Sequence, residues 1–252
     1  MTRFRFLPFL PLVAAAVVMT PLAVQAATVE SRAHAEKGIA LYNQGKPDAA
    51  IAEFRKAAQI DPLNADYHND LSLVLQSQGK LAEATKEASL AVKFRPGSAA
   101  SQANLADLLQ KQKSYADAET HYRLAVRLDP KNAQYHYKLG LSLQAQKKLA
   151  HAERELTKAL TYRPKDVEAL IILTNLLREE KKPEEAVEQA RLAVKYGPGN
   201  PDAHLALADS LKDLHKDSES VKEYQAVLRI KPGYANAAYV NQCIDYLKDR
   251  RI

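Results

Sequence analysis

The chain has 252 residues, 46% of them hydrophobic, with 8 glycines, no tryptophan and one cysteine. Its formal charge of +6 is spread along the chain without a Lys/Arg cluster, which excludes the electrostatic footprint of a nucleic-acid binder. The lone Cys243 excludes an internal disulfide and reads as a small apolar residue of the last helix.

The first 26 residues stand apart: Arg3 and Arg5, an apolar stretch from Phe6 to Val24, then AVQA. These are the basic, apolar and small-residue parts of a secretory signal peptide, with the cut expected after Ala26. An uncleaved anchor is the competing reading, since the apolar run approaches the roughly 20 residues that span a membrane. Pro8, Pro11 and Pro21 disfavour such a helix. Export places the rest of the chain in a periplasmic or envelope-associated location, with membrane contact only if the segment is retained. The absence of a cysteine near the cut gives a lipid-modified N-terminus no support.

Beyond the leader, Pro62, Pro96, Pro130, Pro164, Pro198 and Pro232 follow one another at intervals of 34 residues. A fixed period of that length marks an array of helix-turn-helix units. Counted from Ser31, the units run 31–64, 65–98, 99–132, 133–166, 167–200 and 201–234, within an array spanning 27–234. In the second unit Leu71 and Leu75 have helical spacing, as do Ala84, Ala88 and Ala91, with Gly79-Lys80 as the turn between two helices. Each second helix is expected to stop before its proline, because the preceding residue is pushed out of the α region. In LDPKNAQYHYKLG, residues 128–140, the next helix restarts almost at once. Residues 235–252, ANAAYVNQCIDYLKDRRI, read as a final helix with a polar outer face, the cap that a solenoid end requires.

Small residues hold the twentieth place of every unit: Ala50, Ala84, Ala118, Ala152, Ala186 and Ser220. There the two helices must approach closely. Leu71, Leu105, Leu139, Leu173 and Leu207 hold the seventh place, and Ala57, Ala91, Ala125, Ala159, Ala193 and Val227 the twenty-seventh, both expected in the core. Together with Gly38 and Gly140, the aromatic Phe54, Tyr122 and Tyr224, and the closing prolines, this pattern resembles the tetratricopeptide repeat family over about residues 31–234. The departures are the missing tryptophan and the polar residues, chiefly histidine, in its place. The resemblance implies an all-α, right-handed superhelical solenoid of six such repeats plus a C-terminal capping helix.

No motif carries catalysis. His34, His68, His136 and His204 share the fourth place. Equivalent places on stacked helices lie about 8–10 Å apart, too far for a zinc ion that needs its ligands at about 2 Å. These histidines are expected to pack where an aromatic ring would. GIALYNQGKP, residues 38–47, has the wrong glycine spacing for a phosphate loop, and HAERE, residues 151–155, lacks the second histidine of a zinc protease. Glu184, Glu185 and Glu188 read as a solvated face. No metal, cofactor or catalytic residue is expected.

The first helices of stacked units line a concave surface, where the resemblance implies binding of a peptide or protein. The family's grip on a C-terminal carboxylate through Lys and Asn is not matched. The early units offer Glu36, Asp66, Asn69, Asp70, Asn104 and Asp107, a groove hostile to an anionic peptide end. The later units place Tyr137, Ile171, Ile172 and Leu205 there, rimmed by Lys138, Asn175 and Arg178. The expected hot spot is this apolar half. The expected function is that of a non-enzymatic adaptor of the bacterial envelope, holding a partner during complex assembly. A self-assembling scaffold and an accessory subunit of an envelope enzyme are the alternatives.

Overall fold

The computed structural model describes residues 21–249. The expected leader, 1–26, lies largely outside the described residues. Among the described residues the secondary structure is thirteen helices and no strand. Six antiparallel pairs follow in order: α1 (Pro21–Asn43) with α2 (Pro47–Ile60), α3 (Ala65–Ser77) with α4 (Leu81–Phe94), and α5 (Ala99–Lys111) with α6 (Tyr115–Leu128). Then come α7 (Ala133–Ala145) with α8 (Leu149–Tyr162), α9 (Val167–Glu179) with α10 (Pro183–Tyr196), and α11 (Pro201–Asp213) with α12 (Asp217–Ile230). The cap is α13 (Ala237–Asp249). Each helix packs on its neighbours in sequence, and the first helices of adjacent units also touch, as in α9 and α11. The core is accordingly a chain of apolar clusters.

The Asp-Pro step has two physical parts. Asp61, Arg95, Asp129, Arg163, Gly197 and Lys231 precede the prolines and end the second helices with φ between −127° and −138° and ψ between 64° and 87°. Three residues later, Asn64, Ser98, Asn132, Asp166 and Asn200 accept backbone N–H bonds from the first turn of the next helix. Where both residues suit, they are tied together: Asn64 Nδ2 donates to Asp61 at 3.2 Å and Asn132 Nδ2 to Asp129 at 3.1 Å.

The turn inside each pair reaches the left-handed region at its fifteenth place. Gly45 and Gly79 take it at φ 72° and 71°, but Lys113, Lys147, Lys181 and His215 sit there at 56° to 63°. A side chain in that region carries a steric cost that glycine lacks. All six twentieth-place residues are fully buried, and the seventh- and twenty-seventh-place residues are buried too. Gly38 has a reason of its own: a Cβ there would stand 3.0 Å from the ring of Phe54.

The fourth-place histidines do more than pack. Nδ1 of His68, His136 and His204 lies 2.6 to 2.7 Å from a glutamate nineteen residues on, Glu87, Glu155 and Glu223 respectively. Nε2 lies 3.0 to 3.1 Å from the carbonyl of Pro62, Pro130 or Pro198. Each ring thus ties the first helix to both the second helix and the entering loop. In the third unit the partners are exchanged: Gln102 donates to Pro96 O at 2.9 Å, and its Oε1 lies 2.7 Å from His121 Nδ1. His34 keeps the link to Glu53 at 2.6 Å. Rings also approach, His68 to Phe94 at 5.5 Å and His136 to Tyr162 at 5.8 Å.

Candidate partner-binding face

Side-chain bonds run from first helix to first helix along the array, which fixes the face these helices share. Ser31 Oγ is 3.2 Å from Tyr67 OH. Asn104 Nδ2 donates to Asn69 Oδ1 and Ser72 Oγ, both at 3.1 Å. Lys138 pairs with Asp107, and Tyr137 OH donates to Glu168 at 2.8 Å. Arg178 donates to Asp213 at 2.7 Å and Asp209 at 3.0 Å, and Lys212 donates to Tyr239 OH at 3.0 Å.

The residues of the expected apolar hot spot keep part of their surface exposed. Ile171, Ile172, Tyr137 and Leu205 are all half-buried. Ile171 packs against Leu170, Ala193 and Ala203, Ile172 and Tyr137 against the cluster around Leu139 and Leu173, and Leu205 against that around Ala208 and Val221. The exposed apolar residues at the ninth and twelfth places lie at the other end: Ile39 at 47%, Tyr42 at 43% and Leu73 at 44% exposure.

Polar groups divide in the same way. In the early units Gln76 Nε2, Asn104 Oδ1 and Gln110 Oε1 are buried atoms with no hydrogen-bond partner within the chain. Each needs one. Asp70, half-buried beside Asn69, has its pKa raised by burial first and by repulsion from Asp66 second. In the later units Asp217 Oδ1 is likewise buried without a hydrogen-bond partner, but on the first-helix face Asp107 and Asp209 each satisfy several neighbours. Asp107 accepts from Tyr122 OH at 2.5 Å as well as from Lys138. Asp209 accepts from Tyr224, from Tyr239 at 2.9 Å and from Arg178. Burial works against the Arg178 charge, yet Asp213 and Asp209 together raise its pKa. Asn175 is exposed.

Stacked pairs of constant length with one shared inner face define a helical-repeat solenoid. The chain belongs to the tetratricopeptide repeat family: the family's TPR repeat model matches residues 38–79 and 106–147, and its tetratricopeptide repeat model matches 137–201 and 174–235. No curated protein sequence matches. Among solved structures, pilF of Pseudomonas aeruginosa superposes with a TM-score of 0.73 at 23% identity, covering 86% of this chain and 99% of that one. PilW, described as a widely conserved type IV pilus biogenesis factor, gives 0.72 at 16% identity over 83% of this chain and 97% of its own. YrrB, described as a TPR protein with an unusual peptide-binding site, gives 0.66 at 20% identity over 75% and 97%. These likenesses show the fold. Membership of the family supports a protein-protein interaction scaffold in general.

Proposed function

We propose that the chain is an exported, non-enzymatic adaptor of the bacterial envelope that holds an extended segment of a partner protein on the early part of its first-helix face. The observation that carries this is the exposure of the apolar Ile39, Tyr42 and Leu73 on α1 and α3, at the early end of that face. Apolar side chains of a bound segment would cover these residues. Glu36, Asp66, Asn69 and Asp70 around them favour a neutral or basic segment. Asp107, Lys138, Asn175 and Arg178 continue the face as its polar remainder. The residues before Ala27 support export, and among the described residues no helix is long and apolar enough to cross a membrane. PilW, by its description a pilus biogenesis factor, supports a role in assembly for an array of this shape.

Cross-linking in intact cells, with a photoreactive amino acid in place of Leu73, tests the reading. A discrete partner adduct is expected, lost on Ile39→Asp, together with a mature N-terminus near Ala27. Adducts no different from those at an outer-face position such as Lys86 would overturn it.

A further inference from the structure

Each pair is antiparallel, so the proline loops that enter the first helices and the turns inside the pairs lie on opposite edges of the array. At the turn edge lysines meet carboxylates: Lys80 lies 3.4 Å from Asp48, Lys147 2.9 Å from Glu179 and Lys182 2.6 Å from Glu153. At the proline edge of the third and fourth units the bases stand alone. Arg127, Lys131 and Lys165 are exposed, and among the described residues no carboxylate lies within ion-pair distance of them. Arg163 has Asp166 only at 4.0 Å and donates to Gln134 at 3.2 Å. The acids of this edge are engaged inside the fold: Asp129 accepts from Asn132 Nδ2, and Asp166 from the N–H of Ala169.

Two large apolar side chains share that edge. Leu128 and Tyr162 end α6 and α8 at equivalent places of adjacent units and are 42% and 44% exposed. A cavity of about 320 Å³ joins the two loops, with Asp129 and Lys131 on one wall and Tyr162 and Arg163 on the other. The bases and the apolar tips therefore form one patch. Leu63 is more exposed still, at 70%, but its loop carries Asp61 and no base. An apolar tip flanked by uncompensated bases matches an anionic bilayer surface: the tip enters the boundary between head groups and acyl chains, and the bases meet head-group phosphates. A soluble polyanion would use the bases and leave Leu128 and Tyr162 in water.

We propose that the proline loops of the third and fourth units are a membrane-contact edge that rests on anionic phospholipid. Lys131 and Arg163 hold a head-group phosphate at the mouth of the cavity, Arg127 and Lys165 hold its neighbours, and Leu128 and Tyr162 enter the interface. The sequence ties membrane contact to a retained leader; this contact is made by the folded array and needs none. It uses an edge, which leaves the first-helix face open, and it does not rest on the partner site around Ile39 and Leu73.

The chain has no tryptophan, so a single introduced one reports on its own place. The full chain carrying Tyr162→Trp is mixed with vesicles of phosphatidylglycerol and phosphatidylcholine in equal parts. Its emission should move to shorter wavelength as the indole enters the interface, and should stay in place with phosphatidylcholine alone. Leu128→Trp should behave in the same way, and Leu63→Trp should shift with neither. Lys131→Gln and Lys165→Gln together, added to Tyr162→Trp, should weaken vesicle affinity roughly thirtyfold, the surface attraction of two basic groups. A leader inserted in the bilayer would tether all these variants alike, so the comparison between places survives it. No shift at either 162 or 128, an equal shift with phosphatidylcholine, or an equal shift at 63 overturns the proposal. So does a shift of the same size with soluble polyphosphate, which would make a soluble polyanion the occupant.

Discussion

The two ends of the first-helix face are built from the same 34-residue unit and finish in opposite conditions. Around α1, α3 and α5, apolar side chains stay exposed and amide atoms stay unpaired. Around α9, α11 and α13, Arg178, Asp209, Asp213, Tyr224 and Tyr239 close on one another, and the isoleucines of α9 are half-buried. A shared fold therefore leaves the use of its surface undecided. A face with internally paired charges stiffens the array, and a face with unmet groups awaits something outside it.

The largest effect should come from the closed end. Asp209→Ala takes one acceptor from the Arg178 guanidinium, which keeps Asp213, and removes the acceptor of the Tyr224 and Tyr239 hydroxyls, and is expected to lower unfolding stability in urea by about 3 kcal/mol. An unchanged midpoint would mean that the network is not holding α9, α11 and α13 together. A second effect separates the ends by pH. Glu53, in the first unit, is held at about 2 against an ordinary 4.5, first by His34 and then by Lys56 and Lys37. A carboxyl lowered in the fold stabilises it above its unfolded value, and that contribution is lost as pH falls from about 4.5 towards 2. Amides of α1 and α2 should therefore lose exchange protection in that window, and in Glu53→Gln the loss should be absent. Smaller again, Lys147→Gly relieves a left-handed turn residue and should raise stability by about 0.5–1 kcal/mol in thermal melts. Smallest is Leu73→Asp at the open end, expected within about 0.5 kcal/mol of the parent; a loss of several kcal/mol would show that Leu73 belongs to the core.

The repeat and its register were legible because they depend on local rules. A proline ends a helix wherever it stands, and a residue at a close helix crossing must be small, so the prolines and Ala50 through Ser220 gave both period and packing. Exposure was not legible in the same way. Whether Ile171 is covered depends on its fit with Leu170, Ala193 and Ala203, on helices distant in sequence. Ile39 and Leu73 occupy places equivalent to that of Asp107, and periodicity alone does not say which of the three the neighbouring helix reaches. The histidine links had a visible signal that went unused: His and Glu recur nineteen residues apart in four units, and in the third unit His121 stands nineteen beyond Gln102.

The closeness of Gly38 to Phe54 extends to the history the array can have had. Gly140 likewise faces Leu156, 2.9 Å from where a Cβ would stand. The same two places hold Ser72 with Ala88, Ala106 with Tyr122, Thr174 with Ala190 and Ala208 with Tyr224, small facing large or middling facing small, all buried. Each unit is thus matched internally, not to a common standard. Recombination that joined α7 to α10 at their turns would bring Gly140 against Ala190 and leave a hole; the reciprocal product, α9 with α8, would force Thr174 onto Leu156. Exchange at the proline loops keeps every couple intact, so repeats should be gained or lost as whole proline-to-proline segments, and shortened variants cut anywhere else should fold poorly.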